Sequence, residues 1–431
     1  MNIIPHFSDK AYSTFANFFN EYKDVMTKPA FSMYLLTVTS VIIFDRIRSI
    51  KYIYEHFIMK FIPVSLNSFY YFLSYSEVKI EKLIEAAVKT VVSYIMPIYR
   101  GLNIFIIIDD TLIPKYGTHF DCYMKHFDHC KRNNSSFLMG HSFVCICISI
   151  HVKIDHGEVQ YLTIPVGIKL YSGEESKLKL SSDLIKIVMK HLSGYQVVLL
   201  CDSWYTKGEV LETVKIFPNL NLFGAVRADT ALFEVPEKTS GRGRPRIRGE
   251  RVDFKTLSYT KQGDYYVSKK KVMTRLFNNE VFIYVTVKDI ATLSSLRLFI
   301  ATSDMPFSME EQEKNIPSKN VYSVRWNIEV LFYELKTFWS FCGYMVRNKK
   351  SIETYANLLC GSFAAVSLLP FSYSEMNDMQ LKSPQEAKSW LADVIKREII
   401  LTSFVKFLEN TNIYLEISKY LNSFLIQKRF L

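Results

Sequence analysis

The sequence predicts an α/β protein with a mixed sheet at its centre and helical segments on either side. Three observations carry this. Asn103–Ile108 and Val197–Cys201 are short, continuous apolar runs, typical of strands buried on both faces. Strand-like runs and helix-period segments are interleaved between and after them. Residues 1–98, and those from about Ser351 onward, place apolar residues at three- and four-residue spacing without strand alternation.

In chain order, residues 1–98 form a helical block that Arg46, Arg48, Lys51 and Lys60 make basic in places, as a DNA-binding domain would be. Residues 99–227 open with the Asn103–Ile108 strand, which ends in Asp109-Asp110-Thr111. Strands at Ser142–Val152 and Val159–Leu170 follow, then a helix at Ser176–Leu192, the strand Val197–Cys201 ending in Asp202, a helix, and a strand at Leu222–Val226. Three strands, helix, strand, helix, strand is a ribonuclease-H-like order rather than a doubly wound nucleotide fold. Residues 228–318 read as a β-rich insertion, with strands at Tyr265–Val272, Val281–Val287 and Leu296–Ala301 and a basic loop, Gly241-Arg-Gly-Arg-Pro-Arg246. A long helix starts near Lys319 and closes the core over residues 319–350; residues 351–431 are a helical C-terminal region.

Composition bounds the function. The 431 residues are 49% hydrophobic, which excludes global disorder. Lys and Arg outnumber Asp and Glu by 53 to 42, a net charge of +11 that favours a polyanionic partner, nucleic acid above all. Seven cysteines without paired spacing, and a start that lacks an export pattern, point to the cytoplasm. The apolar stretches Ala30–Phe44 and Ala356–Phe371 are short for a bilayer span and contain polar residues, so buried helices and no membrane are expected. There is no phosphate-binding Gly-rich loop and no Gly-x-Ser-x-Gly elbow, which leaves ATP-driven and serine-hydrolase readings unsupported.

Two buried strands each ending in a carboxylate, Asp109 (or Asp110) and Asp202, can offer oxygen donors to a hard divalent cation. Acidic residues at strand ends are also ordinary turn residues. The segment from Tyr322 to Lys336 is more specific. On a helix at about 100° per residue, Tyr322, Arg325, Glu329 and Lys336 fall within about 60° of one another. Val324, Ile328, Leu331 and Leu335 lie roughly opposite, as a core-facing stripe. An Arg325–Glu329 ion pair alone would also satisfy this pattern. Trp326 and Tyr333 lie near the polar stripe, where an exposed helix has little use for aromatics. His126, His129 and Cys130 lie close together, without the second ligand pair of a zinc site. Cys145 and Cys147 alternate on a strand and are read as buried small apolar residues.

The spacing Tyr322-(2)-Arg325-(3)-Glu329-(6)-Lys336 resembles the signature of a group of cut-and-paste bacterial insertion-sequence transposases, the DDE transposases. Asp109-Asp-Thr111, Leu200-Cys-Asp-Ser-Trp-Tyr205, Gly140-His141 and the Gly-Arg-Gly-Arg-Pro-Arg segment are similar to the family's remaining motifs, in order, over roughly residues 30–370. The resemblance implies that Asp109, Asp202 and Glu329 are catalytic and hold two Mg²⁺ ions, which Mn²⁺ can replace, with Asp110 as the alternate to Asp109. It implies that Tyr322, Arg325 and Lys336 contact double-stranded DNA near the cut, with Trp326, Arg242, Arg244 and Arg246 as further DNA contacts. It also implies a homodimer on paired DNA ends. The alternatives are a nuclease of the same fold that cuts without joining, and a silent derivative that only binds DNA.

Overall fold

The structure, a computed structural model, describes residues 9–99, 103–128, 136–153, 159–237, 246–307, 321–380 and 382–409. Among the described residues the strands are β1 Ile104–Pro114, β2 Met124–Phe127, β3 Phe137–Lys153, β4 Val159–Leu170, β5 Val197–Cys201, β6 Leu220–Val226, β7 Leu232–Phe233, β8 Thr260–Gln262, β9 Tyr265–Thr274, β10 Val281–Val287 and β11 Arg297–Ala301. Helices are α1 Asp9–Phe18, α2 Lys28–Ile43, the short α3 Ile50–Ile53 and α4 Met59–Phe61, α5 Leu66–Tyr75, α6 Ile80–Ile95, α7 Lys177–Met189, α8 Gly208–Ile216, α9 Asn327–Thr337, α10 Lys349–Leu368 and α11 Pro384–Glu409. The protein is α/β with a mixed sheet and helices at both ends, as the sequence predicts.

All strands join one sheet in the order β2-β3-β1-β5-β6-β11-β10-β9-β7, with β4 on β3 and β8 on β9. β1 pairs antiparallel with β3 and parallel with β5, and β5 pairs parallel with β6. The β-rich stretch expected as an insertion is hydrogen-bonded into this sheet: β11 returns antiparallel to β6, with Leu298 opposite Val226. Its strands continue the central sheet instead of closing on themselves.

β1 runs past the position where the sequence ends it. Its antiparallel register with β3 continues from Phe105 opposite Ser149 to Pro114 opposite Gly140, so both Asp109 and Asp110 lie inside the strand. The apolar run stops at Ile108, but the ladder does not, because β3 is long enough to keep pairing. At the far end the two backbones come together so closely that Gly140 has no room for a Cβ against the Ile113 carbonyl.

Helix α10 sits at the centre of the helical layer, against β4, α2, α5, α6 and α11. Asn348 begins it, its side chain accepting from Ser351 N–H. This start lies two residues before Ser351, about where the helical C-terminal region is expected to begin. Lys349–Phe371 is long and apolar enough to cross a membrane, yet 89% of its apolar window is buried inside the protein. Its polar residues have a partner in the open edge of β4. Asn357 accepts from Ile168 N–H at 3.1 Å and donates to Ile168 O at 2.9 Å, while Glu353 accepts from Leu170 N–H at 2.9 Å. An edge strand's bare backbone groups are thus satisfied by a helix. Asn357→Leu strips both Ile168 groups of partners and costs about 2–4 kcal/mol in urea unfolding; a cost under about 0.5 kcal/mol would mean that water replaces the amide.

Candidate active site

β1 and β5 pair from Ile104 opposite Val197 to Ile107 opposite Leu200. Extending that register by two residues sets Asp109 level with Asp202, just beyond the carboxyl end of β5. Successive strand residues face opposite sides, so Asp109 and Asp110 part company there. Asp109 turns toward Asp202 and the segment 321–337. Asp110 turns toward α7, where Lys177 Nζ donates at 2.6 Å, Tyr205 Oη at 2.7 Å and Ser142 Oγ at 3.2 Å.

Asp202 is fixed by its own turn. Its Oδ1 accepts from Trp204 N–H at 2.9 Å and from Tyr205 N–H at 3.2 Å, an Asx-type turn that sequence reasoning allows for any acid at a strand end. Tyr205 also reaches Asp110, so one residue ties the Asp202 turn to β1. Trp204 is 53% exposed, with Lys207 Nζ 3.8 Å from its ring centre.

The predicted continuous helix through Tyr322 is corrected. Val321–Trp326 is a 3-10 turn, and α9 begins at Asn327; the expected start at Lys319 lies outside the described residues. The tighter turn alters the expected stripe. Tyr322 packs its ring on Phe223 and Phe299, and its hydroxyl donates to Cys201 O at 3.2 Å. That bond seats the turn against the end of β5, and Arg325, three residues on, reaches the carboxylates. Its Nη1 lies 3.0 Å from Asp109 Oδ2 and 3.5 Å from Glu329 Oε1. Lys336 donates to Leu112 O at 3.4 Å, further along β1. Arg325 therefore links Asp109 to Glu329, Asp202 lies near enough to Asp109 to act on its charge, and Tyr322 and Lys336 tie this segment to the ends of β5 and β1. Trp326 is 62% exposed.

Burial and the charge of Asp202 push the Asp109 carboxyl up to about 8, outweighing Arg325 and the Asp110 N–H that favour its ionised form. Burial also raises Asp202, against the two backbone N–H groups that stabilise its charge. An unfolded Asp releases its proton near pH 4. Between about pH 4 and 8 the folded chain therefore binds the extra proton, and stability falls as pH rises through that window. In EDTA, Asp109→Asn should melt about 2–5 °C above the wild type at pH 7.5, with the gap closing at pH 4. A gap of equal size at both pH values would remove electrostatics as its origin.

Oxygen donors from three elements around an electrostatically crowded pair suit a hard divalent cation in chemistry. Their arrangement is centred on a guanidinium: among the described residues no three His, Cys, Asp or Glu stand close enough together to hold a metal ion. That statement extends to His126, which is buried on β2; His129 and Cys130 lie outside the described residues. Cys145 and Cys147 are both fully buried. His141, after Gly140, is a buried neutral link, held down to about 4 by burial and bonded to Tyr344 Oη at 2.6 Å and Asp121 O at 2.9 Å.

Arg242 and Arg244 lie outside the described residues, and Arg246 is exposed. Arg248 is tied down, its Nε donating to Thr274 O at 3.1 Å with its guanidinium over Phe233. Sequence reasoning gave no part to Lys177 and Ser142. The signal for Tyr205 was in the Asp202 motif itself; for Lys177 nothing local marks it, since it meets Asp110 only through the fold. Comparison with known proteins gives no match, either to a protein-family model or among curated proteins.

Proposed function

We propose that this chain is a DDE transposase: it cuts DNA at the ends of a bacterial insertion sequence and joins the freed 3′ end to a target. The observation that carries the reading is that Arg325 reaches both Asp109 from β1 and Glu329 from α9, with Asp202 after β5 near enough to Asp109 to raise its carboxyl. The order β4-β3-β1-β5-β6, antiparallel on one side of β1 and parallel on the other, supports a ribonuclease-H-like core.

In this reading Asp109, Asp202 and Glu329 are the residues that would hold Mg²⁺, and the metal would supply charge stabilisation for phosphodiester cleavage. The chain's own residues do the positioning. Arg325 and Lys336 donate to phosphate oxygens, Arg325 through a planar fork suited to them. The N–H groups of Trp204 and Tyr205 hold Asp202 in one orientation. Tyr322 holds the turn that carries Arg325 and leaves its ring buried rather than stacked on a base. Trp326 and the arginines of the 241–246 segment are the outer DNA contacts, paired ends bring two copies of the chain together, and the setting is the nucleoid of a bacterial cytoplasm.

The test is incubation with Mg²⁺ and duplex DNA carrying the inverted repeats that flank the coding sequence. Nicks at the repeat ends, followed by joining of the 3′-OH ends to a second DNA, are the expected products. Nicking without joining would leave a nuclease. Binding should also weaken steeply with salt, by at least about tenfold between 50 and 200 mM, as released counterions require; a constant that is flat over that range would sink the DNA reading of the positive charge.

A further inference from the structure

Behind α9, on the side away from Glu329, lies a cavity of about 430 Å³, within the size range of small-molecule sites. At about 100° per residue, Asn327, Val330, Leu331 and Glu334 fall on one face of α9, and Glu329 and Lys336 fall on the other. The first four line the cavity together with Phe363 and Ser367 of α10 and the segment 382–384 that leads into α11. The surrounding elements are tied to one another. Asn327 Nδ2 donates to Thr163 Oγ1 of β4 at 3.2 Å. Lys388 of α11 is buried and donates to Phe338 O, at the end of α9, at 2.5 Å, and to Phe44 O, at the end of α2, at 3.1 Å.

Two polar groups in the wall lack a partner in the chain. Glu334 is only 9% exposed and its Oε2 is buried without a hydrogen bond; the Ser367 hydroxyl is likewise buried and unbonded. Folded proteins rarely leave such atoms bare, and a buried carboxylate calls for a cation or a strong donor. Burial alone holds the Glu334 carboxyl above its usual range. Among the described residues, Tyr161 of β4 and the exposed Lys382 are the other titratable groups on the wall, and neither offsets that rise.

We infer that this cavity binds a small organic ammonium, whose charged nitrogen donates to the Glu334 carboxylate while its apolar body lies against Val330 and Phe371. The ammonium brings the positive charge that the buried carboxyl lacks, so it favours the ionised form. On binding, the carboxyl proton passes to solvent and the amine keeps its own. Affinity therefore tightens as pH rises through the raised Glu334 range. The binding itself does not rest on the transposase reading. Its consequence does: α9 carries Glu329 on the opposite face, and a bound amine braces that helix from behind.

The test is a ligand-observed NMR titration of the full chain, without DNA or metal, using benzylamine and its uncharged match, benzyl alcohol. Benzylamine should bind with a dissociation constant of about 5 mM or less at pH 7.5, and more weakly at pH 5. Benzyl alcohol should bind at least about tenfold more weakly, as should benzylamine to Glu334→Gln, the loss expected of one charge-assisted bond. Val330→Trp, at a position 47% exposed, fills the cavity while keeping the carboxyl, and should also abolish binding. It separates this site from a charge effect elsewhere on the chain. No saturable benzylamine binding overturns the site, as does binding that either substitution leaves unchanged, or an equal affinity for amine and alcohol. A failed titration leaves the transposase reading standing, and a failed cleavage assay leaves the amine site standing.

Discussion

Under the transposase proposal, Glu329→Gln should leave DNA-end binding within about twofold of the wild type and lower Mg²⁺-dependent cleavage by on the order of 10²–10³, the loss expected when one preorganised electrostatic group is removed from a reacting centre. The substitution keeps the shape of the side chain and the first turn of α9, and removes only the charge. Glu329 is more open than Asp109, its side chain 42% exposed against 13%, and its pairing with Arg325 at 3.5 Å is long. Such a pair contributes little to stability, up to about 1 kcal/mol, so the melting temperature should hardly move. Gel-shift and cleavage assays on one preparation separate binding from chemistry. A variant that cuts at the normal rate would make α9 a structural helix and remove Glu329 from the site.

Asp109 and Asp110 should part as sharply in function as they do across the sheet. Asp109→Cys offers a soft sulfur in place of a hard oxygen, which Mg²⁺ tolerates poorly and Mn²⁺ better. Cleavage should fall by at least about a hundredfold in Mg²⁺ and return in part with Mn²⁺. The sequence alone makes Asp110 a turn residue whose replacement costs little; the structure corrects this, because its carboxylate accepts from Lys177, Tyr205 and Ser142. Asp110→Cys leaves those donors without an acceptor and loosens the Asp202 turn through Tyr205. It should lower the melting temperature by several degrees and slow cleavage equally in both metals. Rescue of Asp110→Cys by Mn²⁺, with none for Asp109→Cys, would move the ligand one residue along.

What the sequence made legible was local. β4, β5 and β10 have the ends that their apolar runs suggest, since alternation and uninterrupted burial are written in consecutive residues. The pair of carboxylate-bearing strands was legible for the same reason. Nonlocal pairing was not. Nothing in residues 297–301 says that they return to β6, and nothing at Asp109 says that β3 will carry the ladder on to Pro114. The 3-10 turn over Val321–Trp326 was hidden because a helical repeat and its tighter variant share nearly the same apolar spacing. Its consequence for Tyr322 depended on Phe223, Phe299 and Cys201, all remote in the chain.

The continuity of the sheet makes it a ruler. From β1 to β7 the strand order takes six steps, and at about 4.8 Å per step they span about 29 Å along the sheet. The chain enters and leaves the arginine-rich segment at the far end of that span, where Gly249 N–H donates to Glu234 O at 2.9 Å, Glu234 N–H to Glu250 O at 2.8 Å, and Arg248 is bonded to the end of β9. Hydrogen-bonded strands do not stretch, so the base of this segment keeps a fixed distance from Asp109. On a duplex laid along the sheet, about 29 Å corresponds to about eight or nine base pairs, at about 3.4 Å each. Under the transposase proposal, the distance from Asp109 to the base of this segment at Arg248 would then be a dimension of the fold rather than of the DNA sequence.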